Sequence, residues 1–347
     1  MKIVIDDKIP FIRGVFEPHA EVLYLPGGQI SREHLRDADC LLVRTRTRCD
    51  QKLLEGTRVK FIGTATIGFD HFDTKWCEEN GITWTNAPGC NSGAVAQYVT
   101  AALHEMANRL GFDLKDKILG IIGIGHVGKK VEKITRELGM QVILNDPPRA
   151  RSEGPTGFTD LKTLITHSEI ISLHVPLNRE GQDKTYQMFD REFLKALNPG
   201  AILINTSRGE VVDERLMVRR LMGLGELRDL GGVALVLDVW PHEPEINREL
   251  LSLTSIATPH IAGYSVEGKY NATKMMVEAV SKYFQLCMDP LPPLTKEGVV
   301  VRQNGQAAIY DIMADDRRLR ESPETFEQQR NNYPERWEST PDKKHQL

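Results

Sequence analysis

Cysteine is scarce in the sequence, and what there is forms no motif. The five residues Cys40, Cys49, Cys77, Cys90 and Cys287 include no CxxC and are odd in number. A disulfide framework is not expected, and reduced thiols in a cytoplasmic protein are the simplest reading. No metal-binding set is expected either. Neither sign of charge dominates: 44 Lys and Arg stand against 48 Asp and Glu, a net −4. That balance gives no electrostatic case for nucleic acid or an anionic membrane as partner. No apolar run approaches the roughly 20 residues that a membrane-spanning helix needs. The opening "MKIVIDDKIPF", with acids at Asp6 and Asp7, reads as a strand rather than as a signal peptide. Internal repeats of roughly 20 to 50 residues, the mark of solenoids, are also missing.

What is present is an ordinary globular composition, 40% hydrophobic and 27% charged, in 347 residues. That length favours two domains over one. Short apolar runs alternate with amphipathic segments: "KIVID", "EVLYL", "CLLVR", "VKFIGTAT" and "GITWTN", then "ILGIIGIG", "QVILND", "IISLHV", "AILINTS", "VALVLDV" and "SIATPH". Continuous apolar strands of this kind belong to parallel sheets covered on both faces. Five precede and six follow the helical stretch Ser92 to Leu110, which predicts an α/β protein with two doubly wound sheets and a helix bridging them. After about Leu291 comes a proline-rich break, then a highly charged tail. Its best apolar cluster is Ile309, Tyr310, Ile312 and Met313. That cluster is expected to dock and Asn331 to Leu347 to stay mobile, because ordering a charged tail costs about 1–2 kcal/mol per residue in backbone entropy.

Chemistry enters with "LGIIGIGHVGKKVEKITRELGMQVILND". Gly123, Gly125 and Gly128 form a GxGxxG that leaves a strand, opens a helix and is followed by a strand ending at Asp146, 18 residues past Gly128. This is the context a dinucleotide fingerprint requires. Gly123 permits the turn, Gly125 lets a pyrophosphate approach the helix N-terminus, and Gly128 lets helix and strand pack closely. Asp146 is placed to accept from both ribose hydroxyls and would repel a 2′-phosphate, so NAD is expected over NADP. Three later strand ends offer Arg208 in "NTSRGE", Glu243 in "LDVWPHEPE" and His260 in "ATPHIAGY". Ligands of open α/β sheets sit beyond the carboxyl ends of the strands. Each residue alone is ambiguous, but together they suit oxidation of a 2-hydroxy acid: an imidazole base, a carboxylate to orient it, and a guanidinium for the substrate carboxylate. Arg44, Arg46 and Arg48 in "VRTRTRCD" could form an anion site if the chain there is extended, or a solvated edge.

In this order, GIGHVG with Asp146, the SRG turn, the DVW–EP segment and TPHIAG resemble the D-2-hydroxyacid dehydrogenases, over roughly Met1 to Pro290. The resemblance implies a Rossmann NAD domain (96–264) inserted in a flavodoxin-like substrate-binding domain (1–95 and 265–290), followed by a C-terminal dimerisation segment or partly disordered tail (291–347). It implies Arg208, Glu243 and His260 as catalytic residues. By the same resemblance Gly123, Gly125, His126, Val127, Gly128, Asp146, Thr206, Ser207, Arg208, Asp238 and Gly263 would line the NAD site. Thr45, Thr66 and Tyr264 would contact substrate. Segments such as "CNSGAVAQYV" and "AGYSVEGK" narrow the likeness to a branch with a small phosphorylated 2-hydroxy acid as substrate, and a homodimer is expected. Relatives using phosphoglycerate or glycerate, and a non-catalytic NAD sensor sharing the fold, are the competing readings.

Overall fold

The structure, a computed structural model, describes residues 1–227, 230–294 and 310–338. It divides into two compact units, Met1–Asn91 with Ser265–Val301 and Ser92–Tyr264 with Arg302–Leu347. In the first, among the described residues, β1 (Lys2–Asp6), β2 (Glu21–Leu25), β3 (Cys40–Val43), β4 (Phe61–Thr64) and β5 (Thr83–Thr85) form a parallel sheet in the order β2-β1-β3-β4-β5. β1, β3 and β4 are buried almost throughout, which is why they read as unbroken apolar runs rather than alternating ones. The chain returns to this unit with the helix Val266–Phe284, whose Ala272, Met276, Val277 and Val280 pack on Ile3, Ile5 and Phe61. Ser265 caps it, accepting from the Gly268 N–H.

The second unit carries β6 (Ile118–Ile122), β7 (Gln141–Asn145), β8 (Ile170–Leu173), β9 (Ile202–Asn205), β10 (Ala234–Leu237) and β11 (Ile256–Ala257). All pair in parallel in the order β11-β10-β9-β8-β6-β7. The strand order reverses between β6 and β8, so the ligand crevice of such a sheet lies at their carboxyl ends. The eleven expected strands are all present. The helix Ser92–Leu110, expected to bridge the sheets, groups with this unit, and its Tyr98, Val99, Leu103 and Met106 enter the core with Leu119, Ile121 and Ile204.

The C-terminal segment departs from expectation. Residues 310–338 pack on the second unit as its outer layer. The helix Ile312–Glu321 lies along the edge strand β11, where the Asp316 carboxylate accepts the Ala257 N–H at 2.7 Å. Arg320 pairs with Asp316 and donates to the carbonyls of Leu251 and Thr254. Leu319 and Phe326 are fully buried. An open strand edge is thus covered rather than left to pair with another chain. Tyr310, Ile312 and Met313 do dock, whereas Ile309 lies outside the described residues. The expected mobility beyond Asn331 is corrected as far as Glu338: Arg336 is buried, donates to the Ala262 carbonyl at 2.5 Å and lies over the Tyr310 ring. The rest of that stretch, 339–347, lies outside the described residues. The charge count hid this docking because the tail's acids and bases mostly satisfy one another and the backbone.

Candidate active site

The glycine loop begins where β6 ends. Gly123 has φ +90°, and a Cβ there would stand 2.6 Å from the His174 carbonyl oxygen at the end of β8, so only glycine fits this crossing. A Cβ on Gly128 would collide with the Gly123 carbonyl, which fixes how closely the helix His126–Glu137 can approach. Gly125, by contrast, faces open space, and no side chain caps the helix that follows. Gly125 and His126 are exposed and Val127 partly so. The first-turn amides are therefore left for a ligand anion, as a dinucleotide pyrophosphate requires.

Asp146 follows β7 and has a duty that its sequence context did not reveal. Its Oδ2 accepts the Ile124 N–H at 2.7 Å, and its Oδ1 caps the helix Pro147–Glu153 through the Arg149 N–H at 3.1 Å. One carboxylate thus ties the glycine loop to the end of the neighbouring strand. Each oxygen keeps a second lone pair, so ribose hydroxyls can still be accepted. Thr206, after β9, contacts His174 Nδ1 at 3.3 Å, and Ser172 contacts the ring's other nitrogen at 2.9 Å. Burial pushes His174 down to about 3, so this imidazole is neutral.

Because β9, β10 and β11 are neighbours in the sheet, the loops bearing Arg208, Glu243 and His260 emerge side by side. The Asn205 side chain folds the first loop: its Oδ1 accepts from Ser207 and its amide donates to the Arg208 carbonyl. Arg208 donates to the Ser207 carbonyl at 2.8 Å. A Cβ on Gly209 would collide with the Trp240 backbone, so the first and second loops touch there. Asp238, at the end of β10, is fully buried. Its Oδ1 accepts from the Thr258 hydroxyl and the Ile261 N–H, its Oδ2 from the Ala262 N–H, and its carbonyl from the His260 N–H, all at 2.7–2.9 Å. Burial raises its pKa despite these donors and the nearby His260. Tyr98, buried in the long helix, bonds Thr258 in turn. Asp238 is thus the clamp of the His260 loop, beside which Gly263 makes a turn.

Within that frame His260 Nδ1 and Glu243 Oε2 lie 2.7 Å apart. Glu243 Oε1 accepts the Trp240 N–H at 2.8 Å. Burial works to raise the Glu243 pKa, but the facing imidazole, its hydrogen bond, the Trp240 amide and the Arg330 charge prevail and hold it below the ordinary carboxylate value. An ionised carboxylate only accepts, so Nδ1 carries a proton, and in the neutral form of the ring the lone pair is on Nε2. His260 has φ +56°, an unusual conformation for a residue with a side chain, held by the Asp238 clamp.

Tyr264 stacks edge-on with Tyr333, with ring centroids 5.7 Å apart, and hydrogen-bonds Arg330. Thr45 and Thr66 belong to the first unit, each two residues beyond the paired ends of β3 and β4. Thr45 is exposed, while the Thr66 hydroxyl bonds Thr64 and the Gly68 carbonyl. The extended conformation expected of the arginine run is corrected: β3 stops at Val43 and the chain turns, so no extended face forms. Arg44 reaches the Lys8 carbonyl, and Arg48 pairs with Asp50. Among the described residues no group of three His, Cys, Asp or Glu could hold a metal ion, and no helix is long and apolar enough to cross a membrane.

A glycine loop at a sheet's switch point and an acid–imidazole pair at its strand ends define a dinucleotide-dependent oxidoreductase. Residues 92–262 match the family described as D-isomer specific 2-hydroxyacid dehydrogenase, NAD binding domain, and the chain belongs to that family. Within it, the sequence is 48% identical over 344 residues to erythronate-4-phosphate dehydrogenase of Bacteroides fragilis, covering 97% of each chain. It is 42% identical to the enzyme of the same name from Porphyromonas gingivalis, covering 96% of this chain and 92% of that one. Among solved structures it resembles NAD+-bound 3-phosphoglycerate dehydrogenase of Entamoeba histolytica, with a TM-score of 0.69 and 28% identity over 85% of this chain and 99% of that one.

Proposed function

We propose that this NAD-dependent dehydrogenase oxidises 4-phospho-D-erythronate to (R)-3-hydroxy-2-oxo-4-phosphooxybutanoate, a step of pyridoxal 5′-phosphate (vitamin B6) biosynthesis. The substrate follows from relatives of that name, alike over nearly the whole chain. For the chemistry, the observation that carries the reading is the 2.7 Å contact of His260 with Glu243. His260 Nε2 takes the proton of the C2 hydroxyl, and Glu243 steadies the imidazolium that results. Arg208 holds the substrate carboxylate and polarises the forming carbonyl. NAD would supply the acceptor for the C2 hydride. Gly123, Gly125, His126, Val127, Gly128 and Asp146 would hold its phosphates and adenosine ribose, and Thr206, Ser207, Asp238 and Gly263 the rest of it. Thr45, Thr66 and Tyr264 bind the substrate. The protein acts as a cytoplasmic homodimer, as the family resemblance implies.

The test is NADH formation by purified protein with 4-phosphoerythronate, 3-phosphoglycerate, glycerate and lactate. The highest kcat/KM is expected with 4-phosphoerythronate. A preference for 3-phosphoglycerate overturns the substrate assignment, and no NADH with any of them overturns the activity.

A further inference from the structure

Resting on that reading of Glu243 and His260, we propose that Arg330, from the C-terminal segment, is a positioning residue of the reaction: its guanidinium braces Glu243 against His260, so the pair is complete only with the segment docked. Arg330 lies in the short helix Phe326–Asn331. Its Nη1 stands 4.0 Å from Glu243 Oε2, the oxygen that also meets His260. The two side chains are only 17% and 18% exposed, so solvent screens their attraction weakly. Glu327 accepts from the same Nη1 at 3.3 Å, and Tyr264 also bonds Arg330.

Stability alone does not account for this placement. The Nε of Arg330 is buried and finds no acceptor among the described residues, an arrangement that disfavours the folded state. Burial opposes the charge as well, yet Tyr264, Glu243 and Glu327 more than offset it. What the residue supplies is a fixed positive charge beside a carboxylate that must stay ionised and in register. The same segment grips the loop a second time, through Arg336 on the Ala262 carbonyl. The charged or titratable groups facing the pair are therefore Asp238 from β10, Tyr264 from the loop, and Glu327 and Arg330 from the segment.

The consequence has a sign. A cation near the pair disfavours the imidazolium, and oxidation starts from the neutral ring. Removing the charge should move the acidic limb of the activity profile to higher pH, and removing Glu327 should move it to lower pH. The experiment is NADH formation from 4-phosphoerythronate between pH 6 and 9.5 for wild type, Arg330→Gln, Arg330→Lys, Glu327→Gln and His260→Ala. Arg330→Gln is expected to shift the limb up by about half a pH unit or more and to lower plateau kcat about tenfold, with KM for NAD unchanged. Arg330→Lys should keep the wild-type limb, and Glu327→Gln should shift it down. An active wild type and a dead His260→Ala, with an Arg330→Gln limb coincident with wild type, overturns this inference alone. An inactive wild type, or a fully active His260→Ala, overturns the reading beneath it. If Arg330→Gln does not fold, a Glu327→Gln limb that stays put or moves up overturns the inference.

Discussion

His260 and Glu243 divide their work by atoms. Glu243 Oε1 is held by the Trp240 amide, which leaves Oε2 for His260 Nδ1; in the proposed reaction Nε2 is then the atom that takes the substrate proton. His260→Ala is expected to cut turnover by about 10² or more while leaving NAD binding intact, as checked by steady-state kinetics and NAD titration. Glu243→Gln removes the counter-charge of the imidazolium, so turnover should fall and the acidic limb should move to lower pH. Stability follows the same residue. The folded Glu243 carboxyl sits below its ordinary value, so its contribution is present above the unfolded pKa, roughly 4.3, and is lost as pH falls through the folded one. The melting-temperature gap between wild type and Glu243→Gln should be full at pH 7 and narrow in acid, as pH falls below the ordinary carboxylate value. The pair was legible in the sequence because parallel strands bring their carboxyl ends to one edge, whatever lies between them. Arg330 was not: Glu243 lies far upstream, and nothing local separates it from Arg317, Arg318 or Arg320.

At the scale of an element, the glycine loop is the clearest case of sequence dictating geometry. Gly123 and Gly128 are required by a positive φ and by close approach, constraints that local spacing records. Asp146 was read only in part. Its place before Pro147 and Pro148 is a helix-capping signal, and its bond to the Ile124 amide was invisible without the fold. Asp146→Ser should therefore do two things. It should narrow the preference for NAD over NADP, because the repulsion of a 2′-phosphate is lost. It should also raise KM for NAD by roughly tenfold, because a buried amide loses a charged partner worth about 1.5–3 kcal/mol. A variant that gains NADP use with an unchanged KM for NAD would count against the tie to Ile124. The extended face expected of the arginines after β3 failed for the opposite reason: alternation has meaning only in an extended chain, and a turn intervenes at Thr45.

At the scale of the whole molecule, two partly buried imidazoles contribute to its response to acid. Burial pushes His71 in the first unit down to about 4 and His174 in the second to about 3. Both therefore take up protons on unfolding below the ordinary histidine value of about 6.5, and stability falls with pH across that window. Urea midpoints measured from pH 7.5 to 4.5 should decline, and His71→Gln should flatten the slope. The segment 310–338 makes a second molecular prediction. Cutting after Glu338 should leave turnover unchanged. Cutting after Arg330 removes Tyr333 and Arg336 from the His260 loop and should lower kcat about tenfold or more, with NAD affinity kept. Kinetics and NAD titration on both truncations decide it, and full activity without 331–338 would show that the loop stands unaided.

The helix along β11 also fixes an order of events during synthesis. The sheets, the glycine loop and both members of the His260 pair leave the ribosome before Asp316, Arg330 and Arg336 do. Through that interval the Ala257 amide lacks the Asp316 carboxylate, and the Ala262 carbonyl lacks the Arg336 guanidinium. The nascent chain can acquire its cofactor fold before the segment that clamps the His260 loop has been made, so the molecule closes upon itself late.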